Sequence, residues 1–396
     1  MKKLLAMLLV LVMVLSFVSC SDSGEEDFKV GFIFLHDENS TYDKNFIDAA
    51  LEVQKKLGLS DSQVVFKTNI PEGNECYEAA ADLADQGCDI VFANSFGHEP
   101  YILKAAKEFP DVEFCHATGT LAHTEEVENF HDAFASIYEG RFLAGVAAGM
   151  KLNEMIDAGK ITAEQAKIGY VGAFTYAEVI SGYTSFFLGA RSICPSATME
   201  VTFTGRWYDE ALEKEAATKL IESNCVLISQ HADSMGAPTA CENANIPNVS
   251  YNGSTEKACP NTFIVSSRID WAPYFEMAIN AAKNGDEIPY DWCGGINDGS
   301  VKLTDVNEKA AAPGTVEKIE EVKAGLLDGS IKVFDANAFT VDGKNLDSYM
   351  ADVDTDDNYT PDTEVIKDGY FHESEFRSAP YFDLRIDGIT LTNEKY

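Results

Sequence analysis

The chain has 396 residues, with 30 Lys+Arg against 65 Asp+Glu and a formal charge of −35. A 45% apolar content excludes wholesale disorder, and the acidic excess repels phosphate backbones, which excludes a nucleic-acid partner. Length predicts two or three domains at roughly 150 residues each.

In chain order, Lys2 and Lys3 open a leader whose apolar run, broken only by Ser16, covers 4–18. The run is shorter than the roughly 20 residues of a membrane-spanning helix and reads as a secretory signal. Its end, Phe17, Val18, Ser19 and Cys20, resembles a lipoprotein cleavage box. A signal peptide is therefore expected over 1–19, a lipidated Cys20, and a polar tether over 20–27. Diacylation of Cys20 meets the two-signal requirement for stable anchoring, so the mature chain is expected outside the cytoplasm on the cell membrane.

Beyond the tether, short apolar runs alternate with amphipathic stretches. Strands are predicted at 29–34, 63–67, 89–93 and 112–116, with helices at 42–57, 75–86 and 101–108. The pattern repeats with strands at 167–171, 198–204, 225–230, 248–251 and 263–267, each but the fourth followed by a helix. Such alternation predicts βαβ units, hence parallel sheets flanked by helices, and two runs of it predict two α/β lobes. Between the runs, the helix at 138–150 carries Gly140, Gly145 and Gly149 among alanines, which predicts close packing against a neighbour. The first lobe is expected from 28–130 plus 255–290, and the second from 131–254 plus 291–345. An acidic C-terminal extension is expected over 346–396.

Eight cysteines remain after Cys20; an even number in an exported chain permits disulfides, and buried thiols are equally open. There is no zinc-type Cys/His spacing, no phosphate-binding glycine loop, and no nucleophile elbow. The run from Asp352 resembles the start of a calcium loop, but Asp357 stands where Gly is needed and Thr363 where a bidentate Glu is needed. No cofactor, metal site or catalytic residue is expected, and the protein is not expected to be an enzyme.

Polar-aromatic clusters follow the strand ends, and ligands of open parallel sheets bind beyond those carboxyl ends. They lie at 36–43, 94–98, 117–119, 172–176, 205–208, 231–234, 252–254 and 268–271. Two facing rims would form a cleft closed by a hinge. Aromatic faces there suit stacking on a planar heteroaromatic ring, with Asn, Asp and Ser at its edge. Trp207 and Trp271 each follow a strand among polar neighbours, whereas Trp292 lies near a lobe crossing and reads as structural.

Three segments carry a family resemblance: Ser95, Phe96 and Gly97; the run 109–119 ending Cys-His-Ala-Thr-Gly; and the glycine-rich helix at 138–149. Trp207, Tyr208 and Asp209, the run 230–234, and the segment 271–275 add to it. Over 29–344 the chain resembles the basic membrane protein family of lipoprotein solute-binding components of ABC importers, which includes purine nucleoside receptors. The resemblance implies a two-lobed type I periplasmic-binding fold hinged at the interlobe cleft. It implies a purine base or nucleoside as ligand, a membrane permease as partner, and a monomer. The implied ligand residues are Ser40, Tyr42, Asp43, Ser95, Phe96, Gly97, His116, Phe174, Trp207, Asp233, Asn252, Arg268 and Trp271. Asn252 and Arg268 depart from the Asp and Lys that nucleoside receptors place nearby, which leaves open a free base or a ligand that is not a purine. A sugar or signal receptor of the same fold is the alternative, and a nucleoside-processing enzyme a further one, though Asp37, Glu38 and Asp43 form the single acidic group on a rim.

Overall fold

A computed structural model describes residues 28–353 and 360–394. The leader, Cys20, the tether and the centre of the calcium-loop-like run lie outside the described residues.

The first lobe begins with β1 (Val30–Ile33), every residue of it buried. Helix α1 (Thr41–Leu57) starts where the Ser40 hydroxyl accepts the Asp43 N–H, and stops at Gly58 in the left-handed region, φ 69°. Its Phe46, Ala49, Ala50 and Val53 recur at helical spacing and face the sheet. Then follow β2 (Val64–Lys67), α2 (Asn74–Asp85), β3 (Ile90–Ala93), α3 (Glu99–Glu108), β4 (Glu113–Ala117), the short α4 (Ala122–Glu125) and β5 (Phe130–Ala135). The chain enters the second lobe through α5 (Ile137–Asp157). That lobe builds β6 (Lys167–Gly172), α6 (Ala177–Ile193), β7 (Thr198–Phe203), α7 (Glu210–Glu222), β8 (Leu227–His231), α8 (Gly236–Ala244), β9 (Asn248–Tyr251) and β10 (Phe263–Ile269). It returns to the first lobe for α9 (Ala272–Asn284) and β11 (Asp291–Gly294), then crosses back for β12 (Val301–Leu303) and α10 (Thr315–Leu327).

The first sheet runs β11-β5-β4-β3-β1-β2, all parallel. Register sets Phe32 beside Phe66 and Phe92, and the Phe32 and Phe92 rings stack at 5.1 Å. The second sheet runs β12-β10-β9-β8-β6-β7 and takes β17 (Ile389–Leu391), parallel to β7, at its far edge. Only β12 is antiparallel there. Both strand orders reverse beside β1 and β6, so the carboxyl ends open crevices that face each other.

Three differences from the expected boundaries have a common origin in strand pairing. Strand β5 falls in a stretch read as connection, because His131 and Asp132 interrupt its apolar run; both side chains are buried in the fold. Residues 255–269, expected in the first lobe, reach β10 and pair with β9 in the second. Residues 291–294, expected in the second lobe, form β11 beside β5 in the first. The C-terminal segment is no separate appendage: besides β17 it forms two small hairpins, β13 (Met350–Ala351) with β14 (Thr363–Glu364), and β15 (Ile366–Lys367) with β16 (Tyr370–Phe371). Its Phe382 stacks on Phe334 at 4.3 Å in the second-lobe core. All eight described cysteines are free thiols, seven of them buried.

The glycine pattern of α5 is explained by its crossing with α6. A Cβ on Gly145 would lie 2.0 Å from the Phe186 carbonyl oxygen, and one on Gly189 would lie 2.1 Å from that of Phe142. These obstacles are backbone, which does not rotate away. Glycine to alanine inside a helix usually stabilises by roughly 0.5–1 kcal/mol. Gly189→Ala is expected to reverse that sign and destabilise by about 1–3 kcal/mol through overpacking, as read from urea unfolding.

Candidate functional site

The facing crevices enclose a cleft lined by Leu35, Tyr42, Asp43, Ser95, Phe96 and Thr118 from the first lobe, and by Glu178, Trp207, His231, Asp233 and Tyr251 from the second. Its enclosed free volume is only about 20 Å³, so the two lobes stand nearly closed on each other.

The first-lobe wall is built on the loop after β1. The Asn94 amide donates to Asp43 Oδ1 (2.7 Å), as does the His36 N–H (3.1 Å), while Asn94 Oδ1 accepts the Leu35 N–H (3.0 Å). The Tyr42 hydroxyl donates to the Asn94 carbonyl (2.6 Å), fixing its ring at the cleft. Burial raises the Asp43 carboxyl, but bonds from His36, Asn94 and Ser40 outweigh it and hold the group below its ordinary range. Asp43 is therefore an anion in the wall, and its Oδ2 faces the His36 Nδ1 at 3.4 Å.

On the other side Asp233 sits at the seam. Its carbonyl accepts from the Thr41 N–H (3.0 Å) and the Thr41 hydroxyl (3.2 Å), which docks the start of α1 on the second lobe. Its side chain accepts from Asn252 (3.3 Å), whose own amide oxygen accepts from Asn45 (3.3 Å). Asn252 adopts φ 65°, a conformation asparagine tolerates better than most residues. Burial first, then the charges of Glu213, Asp43 and Glu178, push the Asp233 carboxyl well above its ordinary range. Beside it the His231 ring contacts Glu178 (3.2 Å) and packs on Tyr251, with ring centres 4.4 Å apart. The Arg141 guanidinium lies 5.2 Å from the centre of the Tyr251 ring.

Aromatic groups close the mouth. Phe96 of the first lobe meets Tyr176 of the second at 5.2 Å. Tyr176 stacks on Phe174 (5.0 Å, 9°), and Phe174 meets Trp207 edge-on at 4.9 Å.

Of the expected site residues, Tyr42, Asp43, Ser95, Phe96, Trp207 and Asp233 line the cleft. Phe174 braces Trp207, and Asn252 links Asp233 to Asn45. Five others stand elsewhere. Ser40 is the cap of α1. The Gly97 N–H donates to Glu72, which also takes the Ser95 hydroxyl, so Gly97 shapes a loop. His116 lies behind the wall, its Nε2 2.7 Å from the Ser95 carbonyl. Arg268 is on an outer groove beside Asp270. Trp271 is 1% exposed and stacks on Phe46 at 4.4 Å in the first-lobe core. Leu35, Thr118, Glu178, His231 and Tyr251 were not among the expected residues. Thr118 and His231 fall within rim segments singled out by the strand-end rule. Tyr251 is the last residue of β9, and Glu178 is in the first turn of α6, where that rule does not look.

The model of the ABC transporter substrate-binding protein PnrA-like family matches residues 33–333. The chain belongs to this family. Among curated relatives it is similar to a purine-binding protein of Brucella abortus, 30% identical over 78% of this chain and 84% of that protein. It is also similar to a putative ABC transporter glucose-binding protein of Haloferax volcanii, 27% identical over 78% of this chain and 72% of the other. Among solved structures, an ABC transporter solute-binding protein from Aeropyrum pernix aligns with TM-score 0.65 and 19% identity, covering 78% of this chain and 93% of that one. The PnrA-like fold and cleft are thus those of an extracytoplasmic substrate-binding protein that carries a small molecule to a membrane permease. Its relatives are binding proteins rather than enzymes. The C-terminal residues from 334 onward lie beyond the family match. No helix among the described residues is long and apolar enough to cross a membrane.

Trp271→Ala is expected to cost about 3–5 kcal/mol of folding stability, the range for emptying a buried aromatic site. Trp207→Ala, half-buried at the cleft, is expected to cost far less; urea unfolding of both separates core from site. Asp233 supplies a pH test. Its raised pKa stabilises the ligand-free protein fully below an unfolded pKa of about 3.9, and that contribution is lost as pH rises through the folded value. The thermal midpoint of Asp233→Asn relative to wild type is therefore expected to rise between pH 4 and pH 8. A flat difference would mean that Asp233 titrates normally.

Proposed function

We propose that the cleft binds a purine base or nucleoside and delivers it intact to the permease. We also place the protein as a monomer on the membrane, held by diacylated Cys20. The observation that carries the ligand class is the pairing of aromatic faces with an excess of acceptors. Phe96 and Trp207 line opposite lobes of one narrow cleft, suited to the two faces of a flat ring. Around its edge stand Asp43, Glu178 and Asp233; the Asp43 Oδ2 faces His36 Nδ1 at 3.4 Å, and the Thr118 hydroxyl has no hydrogen-bond partner among the described residues. Such a site calls for a ligand rich in N–H donors, as adenine is at its amine and imidazole edges. It rejects phosphates by charge, so nucleotides are excluded while bases and nucleosides are admitted. The 30% identity to a purine-binding relative supports the same reading.

The test is mass spectrometry of small molecules released on denaturing the purified protein, followed by calorimetry with adenine, adenosine, AMP and glucose. Adenine or adenosine is expected to bind and AMP not. Trp207→Ala should weaken binding about tenfold or more, since a stacking face contributes roughly 1–3 kcal/mol. Binding of glucose with no heat from either purine would replace this reading with that of a sugar receptor.

A further inference from the structure

Behind the first-lobe wall, out of the cleft, three ligating side chains converge. Glu99, His116 and Asp132 each bring one ligand atom within 4.8 Å of the others, and all three side chains are buried. They come from three segments: the start of α3, the end of β4 and the middle of β5.

The local hydrogen bonds leave one set of atoms facing inward. His116 Nε2 sits 2.7 Å from the Ser95 carbonyl, which only accepts, so that nitrogen carries the proton. His116 Nδ1 is left with no partner, as is Asp132 Oδ1, and the two face each other at 3.5 Å. Both residues are essentially fully buried, His116 at 0% and Asp132 at 1% exposed. The other oxygen of Asp132 accepts the Ala122 N–H (2.9 Å), and Glu99 Oε1 accepts from the Thr120 (2.6 Å) and Leu121 (2.7 Å) N–H groups. The carboxylates are thereby clamped by backbone. Gly119 keeps the space between them open: a Cβ there would lie 1.9 Å from Asp132 Oδ1 and 2.6 Å from His116 Nδ1.

We propose that Glu99, His116 and Asp132 form a structural site for one divalent transition cation of the zinc class. Two ligands at about 2.0–2.1 Å from a tetrahedral zinc lie about 3.3–3.4 Å apart, close to the observed nitrogen–oxygen separation. One neutral imidazole and two carboxylates carry a charge that a single divalent ion balances. A ligating histidine ordinarily donates its other N–H to a carbonyl or carboxylate, as His116 does toward Ser95. The cation ties the loop after β3, the loop after β4 and strand β5 into one wall, and Ser95 and Thr118 of that wall line the cleft. The inference concerns the wall and stands whether the ligand is a purine or a sugar.

The test uses the purified full-length protein, stripped with chelator, loaded with zinc alone and passed through gel filtration. One equivalent of zinc is expected to remain by elemental analysis. X-ray absorption at the zinc edge should show one imidazole in a nitrogen–oxygen shell. Asp132→Asn and Gly119→Ala, checked for folding by circular dichroism, should each reduce retained zinc at least tenfold. If wild type keeps less than about a fifth of an equivalent, the three groups hold a proton instead and the proposal fails. Equal retention by wild type and folded Asp132→Asn, or a shell without imidazole, would place the zinc on surface carboxylates and overturn it as well. Ligand calorimetry is a separate readout, so loss of the purine assignment and loss of the cation site are distinguishable.

Discussion

The contact on which the arrangement of the lobes depends is small: the first N–H of helix α1 on the carbonyl of Asp233. Through it the start of a first-lobe helix is seated on a second-lobe loop, and the Thr41 hydroxyl and the Asn45–Asn252 amide pair reinforce the same seam. A helix start carries unsatisfied N–H groups and the positive end of its dipole. The main-chain carbonyl of Asp233 satisfies the first of these N–H groups. Closure therefore brings Asp43 and Asp233 into one enclosed space with Glu178, and burial with these neighbouring charges pushes the Asp233 carboxyl well above its ordinary range.

That concentration of acceptors defines what the cleft can hold. The second lobe also holds Arg141, fully buried and bonded to Ser267, Ser229, the Tyr170 hydroxyl and the Ser250 carbonyl. None of these partners is a carboxylate. The guanidinium instead lies against the rings of Tyr170, Phe186 and Tyr251, and Tyr251 reaches the cleft. A buried cation is thus placed one ring away from an acidic pocket. The net field still favours a ligand that donates hydrogen bonds over one that carries negative charge.

The alternation of apolar runs and amphipathic stretches predicted the two sheets, because strands buried on both faces leave a local signature. Crossovers leave none. Strand β5 hides behind His131 and Asp132, and the returns of 263–269 and 291–294 depend on which sheet edge is free. For the cleft, the strand-end rule found Ser95, Phe96, Trp207 and Asp233, which follow a strand by a few residues, and Tyr42 and Asp43, which open helix α1 at the end of the loop after β1. It misplaced Trp271 for a tertiary reason. Trp207 stays on its rim, but Trp271 opens helix α9 as the chain recrosses, and that helix packs against α1, which carries the indole onto Phe46. Arg268 looks equivalent to Trp207 in sequence because the predicted strand ends at 267, but it lies within β10 opposite Lys302 of β12, while Trp271 is turned away by a crossover that is not local.

If the seam at Asp233 closes over a ligand held between Phe96 and Trp207, adenine must draw the lobes together. Small-angle X-ray scattering of ligand-stripped protein, before and after adding adenine, measures this. A smaller radius of gyration with adenine is expected, with a profile matching the closed lobes. An identical profile with and without a purine that calorimetry shows to be bound would contradict it.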